Sequence, residues 1–299
     1  MRFMSPTFRC RSSLASPLFL AFIYLAGGFA VADGSTQNKV APERYFLWEE
    51  GSPNNPEGKA RPCLEIYRAF SRNPAVSHTV VILPGGGYGG ISPYERLQAE
   101  FFRSLGLTAV TVDYRVAPCR HPAAYSDACR AIRLIRKNSE KWKIPGRILL
   151  LGGSAGGHLA ALVATRPNHW QDVADELAKT VPARPDALIL LYPVINTSAQ
   201  SSSINRYLGA DASDELRRDI APAAHVDAET PPTLIFHAAD DPAVSVEDSL
   251  TFARACWKAK LPMELHVFSS GGHGKDFAYD KDIGPRWRQI VADWIQKLP

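Results

Sequence analysis

Ser154 stands between glycines in "GGSAG", residues 152–156, a match to G-x-S-x-G. That pattern holds a serine on a tight strand-to-helix turn, where side chains at the flanking positions would collide with neighbouring backbone. The flanks suit such a turn: "RILLLG" before it is an apolar strand, and "AGGHLAALVAT" after it is a helix of small residues. Five positions alone are a weak signal, because a glycine-rich turn also serves simply to pack a strand against a helix. A nucleophilic serine further needs a base, and an acid that orients the base. In a strand–turn–helix setting the expected chain order is serine, acid, histidine.

Downstream, "PTLIFHAADDPAVSV" is a strand running to His237, followed by a turn that carries Asp240 and Asp241. A carboxylate just beyond the carboxyl end of a parallel strand can face the same crevice as the serine. Asp241 is the preferred acid, because Pro242 shapes the loop and Val244 returns to the core; Asp240 is its close rival. Either residue would alternatively cap the helix that begins near Ser245. His266 and His273 are the histidines that follow. His266 lies within the alternating strand "MELHVF" and reads as structural, whereas His273 lies in the glycine-rich "SSGGHGKDF" directly after it. A neutral imidazole there can take the serine proton and return it to a leaving alkoxide. Ser154, Asp241 and His273 are therefore the expected catalytic residues.

Acyl transfer also needs donors for the oxyanion. "VVILPGGGYGG" ends a strand in Pro84 and the glycines Gly85–Gly87, whose exposed N–H groups would serve together with that of Ala155. The residues alone leave the choice among Gly85, Gly86 and Gly87 open. The same stretch formally fits a dinucleotide fingerprint, Gly85-x-Gly87-x-x-Gly90 with Asp113 ending the next strand. Pro93 opposes that reading, since it delays the helix whose N-terminus a pyrophosphate would need. No organic cofactor and no metal are expected.

These residues must be carried by a particular framework. Apolar runs ("CLEIYRAF", "HTVVIL", "LTAVTVD", "RILLLG", "DALILLY", "PTLIFH", "MELHVF") alternate with helical patterns near 93–106, 124–141, 155–166, 213–220, 246–260 and 286–298. Several runs are apolar almost throughout, as parallel strands covered on both sides should be. The expectation is an α/β domain with a mostly parallel, doubly wound sheet and helices on both faces.

Residues 1–32 read as an export signal: Arg2, Arg9 and Arg11 precede a short apolar run, and "AVA" supplies small residues before Asp33. An uncleaved membrane anchor is the alternative for the same run. Residues 33–299 then form a single catalytic domain. The formal net charge of +4 belongs mostly to those three arginines, so neither nucleic acid nor a membrane surface is expected as a partner of the mature chain. Cys63, Cys119, Cys129 and Cys256 match no zinc or CxxC spacing, and no disulfide among them is singled out.

"PGGGYGGIS", "VDYRVAP", "HPAAYSDACRAIRLIRKN", "GGSAGGHLAAL", "LLYPVI", "PPTLIFHAADDPAVSVEDSL" and "MELHVFSSGGHG" together resemble bacterial α/β-hydrolase esterases. The resemblance is to the acetylxylan-esterase-like and BD-FAE-like group related to hormone-sensitive lipase, over residues 43–298. It implies the α/β-hydrolase fold and a secreted serine esterase acting on short acyl esters, acetyl above all. Acetylated polysaccharide such as xylan is the implied substrate class. It also implies Ser154, Asp241 and His273 as the triad, with Gly86, Gly87 and Ala155 around the oxyanion. Two positions depart from the group: Gly153, where a bulkier residue is usual, and Lys275, where an aromatic is common. Asp113, Arg115 and Asp127 read as hydrogen-bonding supports, and His158 as a packing or supporting residue. A general carboxylesterase, a serine peptidase on the same fold, and a non-catalytic binding protein are the alternatives. Export places the chain in the periplasm or outside the cell.

Overall fold

Strands that are apolar on both faces need cover on both faces, and the sheet is built that way. The computed structural model describes residues 41–48, 61–71, 78–144, 147–170, 174–274, 277 and 280–298. The expected export signal at 1–32 and Lys275 lie outside the described residues.

The strands are β1 (Glu43–Phe46), β2 (Cys63–Tyr67), β3 (His78–Leu83), β4 (Thr108–Asp113), β5 (Arg147–Gly153), β6 (Ala187–Leu191), β7 (Thr233–Ala238) and β8 (Met263–Phe268). They form one sheet in the order β1-β2-β4-β3-β5-β6-β7-β8. β1 and β2 run antiparallel to their neighbours, and every other pairing is parallel. The helices are α1 (Tyr94–Ser104), α2 (Ala123–Lys137), α3 (Ser139–Trp142), α4 (Ala155–Thr165), α5 (Ser202–Leu208), α6 (Asp214–Asp219), α7 (Val246–Lys258) and α8 (Ile283–Lys297).

Alternate residues of each central strand feed two separate cores. On one face, Val81, Leu83, Leu150, Leu188 and Ile235 pack with Ile132 of α2, Leu159 of α4 and Phe252 of α7. On the other, Val80, Ile82, Leu151, Ile189 and Phe236 pack with Phe102 of α1 and Trp287 and Val291 of α8. Each fully buried side chain of this size contributes roughly 1.5–3 kcal/mol relative to an exposed one. The doubly wound α/β expectation therefore holds.

The sheet's carboxyl edge carries the expected site residues. β3 lies between β4 and β5, so the chain leaves β3 for one side of the sheet and β5 continues on the other. Such a switch point opens a crevice between two loops. Here those loops are the glycine stretch after β3 and the serine turn after β5.

Candidate active site

Every residue of α4 is buried, so the helix that follows the serine is pressed into the core along its whole length. Glycines permit that approach. A methyl group on Gly152 would fall far inside contact distance of the Gly156 carbonyl, and one on Gly156 would strike the Leu83 and Pro84 carbonyls. Gly157 faces Pro193 Cβ at 2.8 Å from where its own Cβ would lie. The backbone between them is forced into a sharp turn, with Ser154 at φ 54° and ψ −120°. A non-glycine residue there costs of order 1–3 kcal/mol, sustained only by surroundings that over-determine it. Three bonds do so: Ser154 N–H donates to Leu191 O at 3.0 Å, and its carbonyl accepts from His158 and Val194 N–H at 3.1 Å each. Gly153 is buried and stands opposite Leu191 in the ladder.

Ser154 Oγ lies 3.0 Å from His273 Nε2, and His273 Nδ1 lies 2.6 Å from Asp241 Oδ2. Because the carboxylate only accepts, Nδ1 carries the proton and Nε2 accepts from the serine hydroxyl. The Asp241 carboxylate is fully buried, while the His273 side chain is about one-fifth exposed at 21%. Burial by itself would raise the Asp241 pKa. Hydrogen bonds from His237, His273 and the N–H groups of Val244 and Ala243 outweigh it and hold the carboxyl well below the ordinary range. The backbone pair reaches Asp241 Oδ1 at 3.0 and 2.8 Å.

Asp240, the rival acid, is exposed and turns elsewhere: its Oδ1 accepts from Gly272 N–H at 2.9 Å. Adjacent carboxylates thus divide the work, one holding the imidazole and the other the loop that carries it. His266 stacks on Phe236 with ring centroids 5.3 Å apart and meets Glu264 at 3.2 Å, as a strand residue should. His158 bonds to Tyr88 and to the Ile220 carbonyl, away from the triad. Arg115 grips Asp127 through Nε and Nη2 at 2.8 Å each, and Trp48 Nε1 adds a bond at 2.7 Å. These groups brace the chain after β4. Among the described residues the four cysteines are buried and form no disulfide. Burial pushes the Cys129 thiol up to about 12 and the Cys256 thiol up to about 11.

The glycine loop follows β3 through Pro84, whose carbonyl accepts from Tyr114 Oη. Gly86 and Gly87 have φ of 119° and 60°. A side chain on Gly86 would run into the Gly90 carbonyl, so the loop closes on itself. Its internal bonds use Gly89 and Ser92 as donors, leaving Gly86 and Gly87 N–H with no hydrogen-bond acceptor among the described residues. Ala155 opens α4, so its N–H has no partner within the helix. Leu83 pairs with Gly152 in the sheet, which sets this loop beside the serine turn. α1 begins only at Tyr94, well past the glycines, so no helix N-terminus meets them as a dinucleotide would require.

Some residues of the site went unassigned in the sequence. His237, fully buried at the end of β7, approaches Asp241 Oδ2 at 3.4 Å and bonds to Ser249 Oγ at 2.7 Å and Val244 O at 3.0 Å. The Tyr192 ring lies 4.6 Å from that of His273. Asp248 fixes the loop after β6 by accepting from Ile195 and Asn196 N–H at 2.6 and 2.9 Å. Arg206 of α5 donates to Gly87 O at 3.3 Å. A histidine inside an apolar strand just before the acid was the one available signal.

The BD-FAE family model matches residues 64–256, from β2 into α7, and spans the glycine loop, the serine turn and Asp241. The chain belongs to the BD-FAE family. It is 34% identical over 248 residues to an endo-1,4-beta-xylanase B of Butyrivibrio fibrisolvens, covering 80% of this chain and 38% of that protein. It is 26% identical over 256 residues to an acetylxylan esterase of Xylanibacter ruminicola, covering 81% of this chain and 49% of that one. The chain thus spans less than half the length of either relative. Among solved structures, an acetyl ester-xyloside bifunctional hydrolase from Caldicellulosiruptor lactoaceticus superposes with a TM-score of 0.76 at 35% identity. That match covers 87% of this chain and 98% of the other. An esterase from Thermogutta terrifontis matches with a TM-score of 0.69 at 28% identity, covering 85% and 93%. The sheet order and these likenesses give the α/β-hydrolase fold, in agreement with the resemblance read in the motifs. Among the described residues, no helix is long and apolar enough to cross a membrane.

Proposed function

We propose that this chain is a serine esterase that removes short acyl groups, acetyl above all, from acetylated polysaccharide of the xylan type. The carrying observation is the unbroken chain from Ser154 Oγ through His273 to the buried Asp241, beside a loop with two N–H groups that meet no acceptor among the described residues. The names of the similar proteins, an endo-1,4-beta-xylanase, an acetylxylan esterase and an acetyl ester-xyloside hydrolase, support the substrate class.

In this reading, His273 takes the Ser154 proton through Nε2 as Oγ attacks the ester carbonyl. Negative charge gathers on the carbonyl oxygen, where the N–H groups of Gly86, Gly87 and Ala155 meet it; each such donor is worth ~3–4 kcal/mol in the transition state. Asp241 steadies the imidazolium across its Nδ1–H bond without itself taking the proton. Collapse passes the proton from His273 to the departing sugar hydroxyl and leaves Ser154 acylated. A water then enters and attacks the acyl carbon as it gives its proton to His273; collapse returns that proton to Ser154 Oγ and releases the acid.

Residues 1–32 serve as the export signal of this reading, and residues 33–299 as one catalytic domain. N-terminal sequencing of the exported protein should begin at Asp33. The activity is tested by acetate release from acetylated xylan and from a small aryl acetate, with the intact chain and with Ser154→Ala. Turnover of both by the intact chain alone is expected. No turnover, or equal turnover by the variant, contradicts the nucleophile; turnover of the aryl ester alone removes the polysaccharide.

A further inference from the structure

Tyr88 occupies an expensive backbone conformation. It follows Gly86 and Gly87 at φ 56°, the left-handed region that a bulky residue rarely enters. A glycine would sit there without strain, so the tyrosine side chain must do something that offsets the cost. The side chain is buried. Its ring stacks on Tyr207 of α5 with centroids 4.4 Å apart, and its hydroxyl lies 2.7 Å from His158 Nδ1.

His158 belongs to the nucleophile helix. It lies one turn beyond Ser154, to whose carbonyl its N–H is bonded at 3.1 Å. Its Nε2 is 3.0 Å from the Ile220 carbonyl, which can only accept. Nε2 therefore carries the ring proton, Nδ1 is the bare nitrogen, and the Tyr88 hydroxyl must be the donor. Burial agrees with that single neutral tautomer, lowering the His158 pKa to about 4. The result is a chain of fixed direction, Tyr88 O–H to His158 Nδ1 and His158 Nε2–H to Ile220 O.

We infer that Tyr88 and His158 are positioning residues for acyl transfer: their hydrogen bond ties the glycine loop to the nucleophile helix and sets the oxyanion donors at a fixed distance from Ser154. The inference rests on the esterase reading above. Gly156 already locks the base of the loop against α4 at Leu83 and Pro84. Tyr88 locks the far side, directly after Gly87. Between these two anchors lie Gly86 and Gly87, which have no side chain of their own to hold them. Neither Tyr88 nor His158 touches the reacting atoms in this scheme. They act by keeping two N–H groups preorganised toward a charge that appears only in the transition state.

Such a role makes a distinctive demand: loss of the bond should lower kcat and leave KM nearly unchanged, since substrate binding in the ground state does not use it. Tyr88→Phe keeps the ring and removes only the donor. With 4-nitrophenyl acetate, kcat should fall about tenfold with KM within about twofold, and inhibition by phenylboronic acid should weaken by a similar factor. The boronate adduct of serine is tetrahedral and places an oxygen where the oxyanion forms. His158→Gln retains one acceptor and one donor and should keep kcat within about threefold, whereas His158→Leu loses both and should match Tyr88→Phe. Near-UV circular dichroism of Tyr88→Phe should match that of the parent. Turnover by the parent with unchanged kcat in Tyr88→Phe overturns this inference alone. So does a loss of kcat in the folded variant with boronate inhibition unchanged. A parent that does not turn over the ester overturns the esterase reading, and this inference falls with it.

Discussion

The serine side and the histidine side of the site are built from different materials. Ser154 is held by backbone: glycines without room for a methyl group, a fully buried helix and a strained φ. His273 and Asp241 are held by side chains, through the bonds of Asp240 to Gly272, of Asp241 to Val244 and Ala243, and of His237 to Ser249 and Val244. A nucleophile must hold one position through both half-reactions, and steric walls do this well. A base that shuttles protons between serine, alcohol and water needs an orientation rather than a cage, and His273 is partly open to solvent. The difference implies that the glycine-walled turn around Ser154 fails by unfolding and the histidine side by losing rate.

Substitutions should separate the two. Gly156→Ala drives a methyl into the Leu83 and Pro84 carbonyls; it should cost about 3–5 kcal/mol in urea unfolding and abolish turnover. Survival of the fold with full activity would break the contrast. Asp241→Asn should leave the chain folded yet lower kcat about 10⁴-fold, because the amide favours the wrong imidazole tautomer. Asp240→Asn weakens only the bond to the Gly272 N–H and should cost about tenfold or less, since it leaves the imidazole's own partner in place. A larger loss at Asp240 would reverse the assignment of the acid.

Acid should also distinguish the sides. His158 on the serine side has its pKa depressed to about 4, below its unfolded value near 6.5. The unfolded chain therefore takes up the proton first, and stability is lost as pH falls from about 6.5 toward 4, by about 3 kcal/mol in all. His158→Gln should remove that portion of the acid sensitivity in urea titrations at pH 7, 5.5 and 4.5. Asp241 contributes stability that is present above its unfolded pKa near 3.9 and lost only as pH falls toward its lower folded value. Its effect appears below about pH 4, after that of His158. The smallest effect belongs to Arg206, an exposed side chain whose bond to Gly87 O is 3.3 Å long; Arg206→Gln should change kcat/KM by less than about threefold.

The same contrast explains what could be read in the sequence. Steric demands are local, so glycine spacing and apolar runs announced the serine turn, the glycine loop and seven of the eight strands. β1 was missed because "ERYF" is polar and mostly exposed, an edge strand with little hydrophobic pattern. α5 was hidden by its serine-rich start, although Ser201 caps it and Ile204, Tyr207 and Leu208 form its buried stripe. Hydrogen-bonded supports are non-local. Asp240 and Asp241 are chemically identical neighbours, and only the placement of Gly272 and His273 tells them apart. His237 gains its significance from Asp241 and from Ser249, two elements that meet only in the folded chain.

The central claim is that Ser154 becomes acylated during turnover. Mixing the intact chain with 4-nitrophenyl acetate, quenching in acid and mapping the peptides by mass spectrometry tests it directly. A nucleophilic Ser154 predicts one acetyl group on the peptide that contains "GGSAGG", absent from Ser154→Ala. Steady-state acetate release with no acetyl on that peptide, or with acetyl on another residue in both proteins, would contradict it.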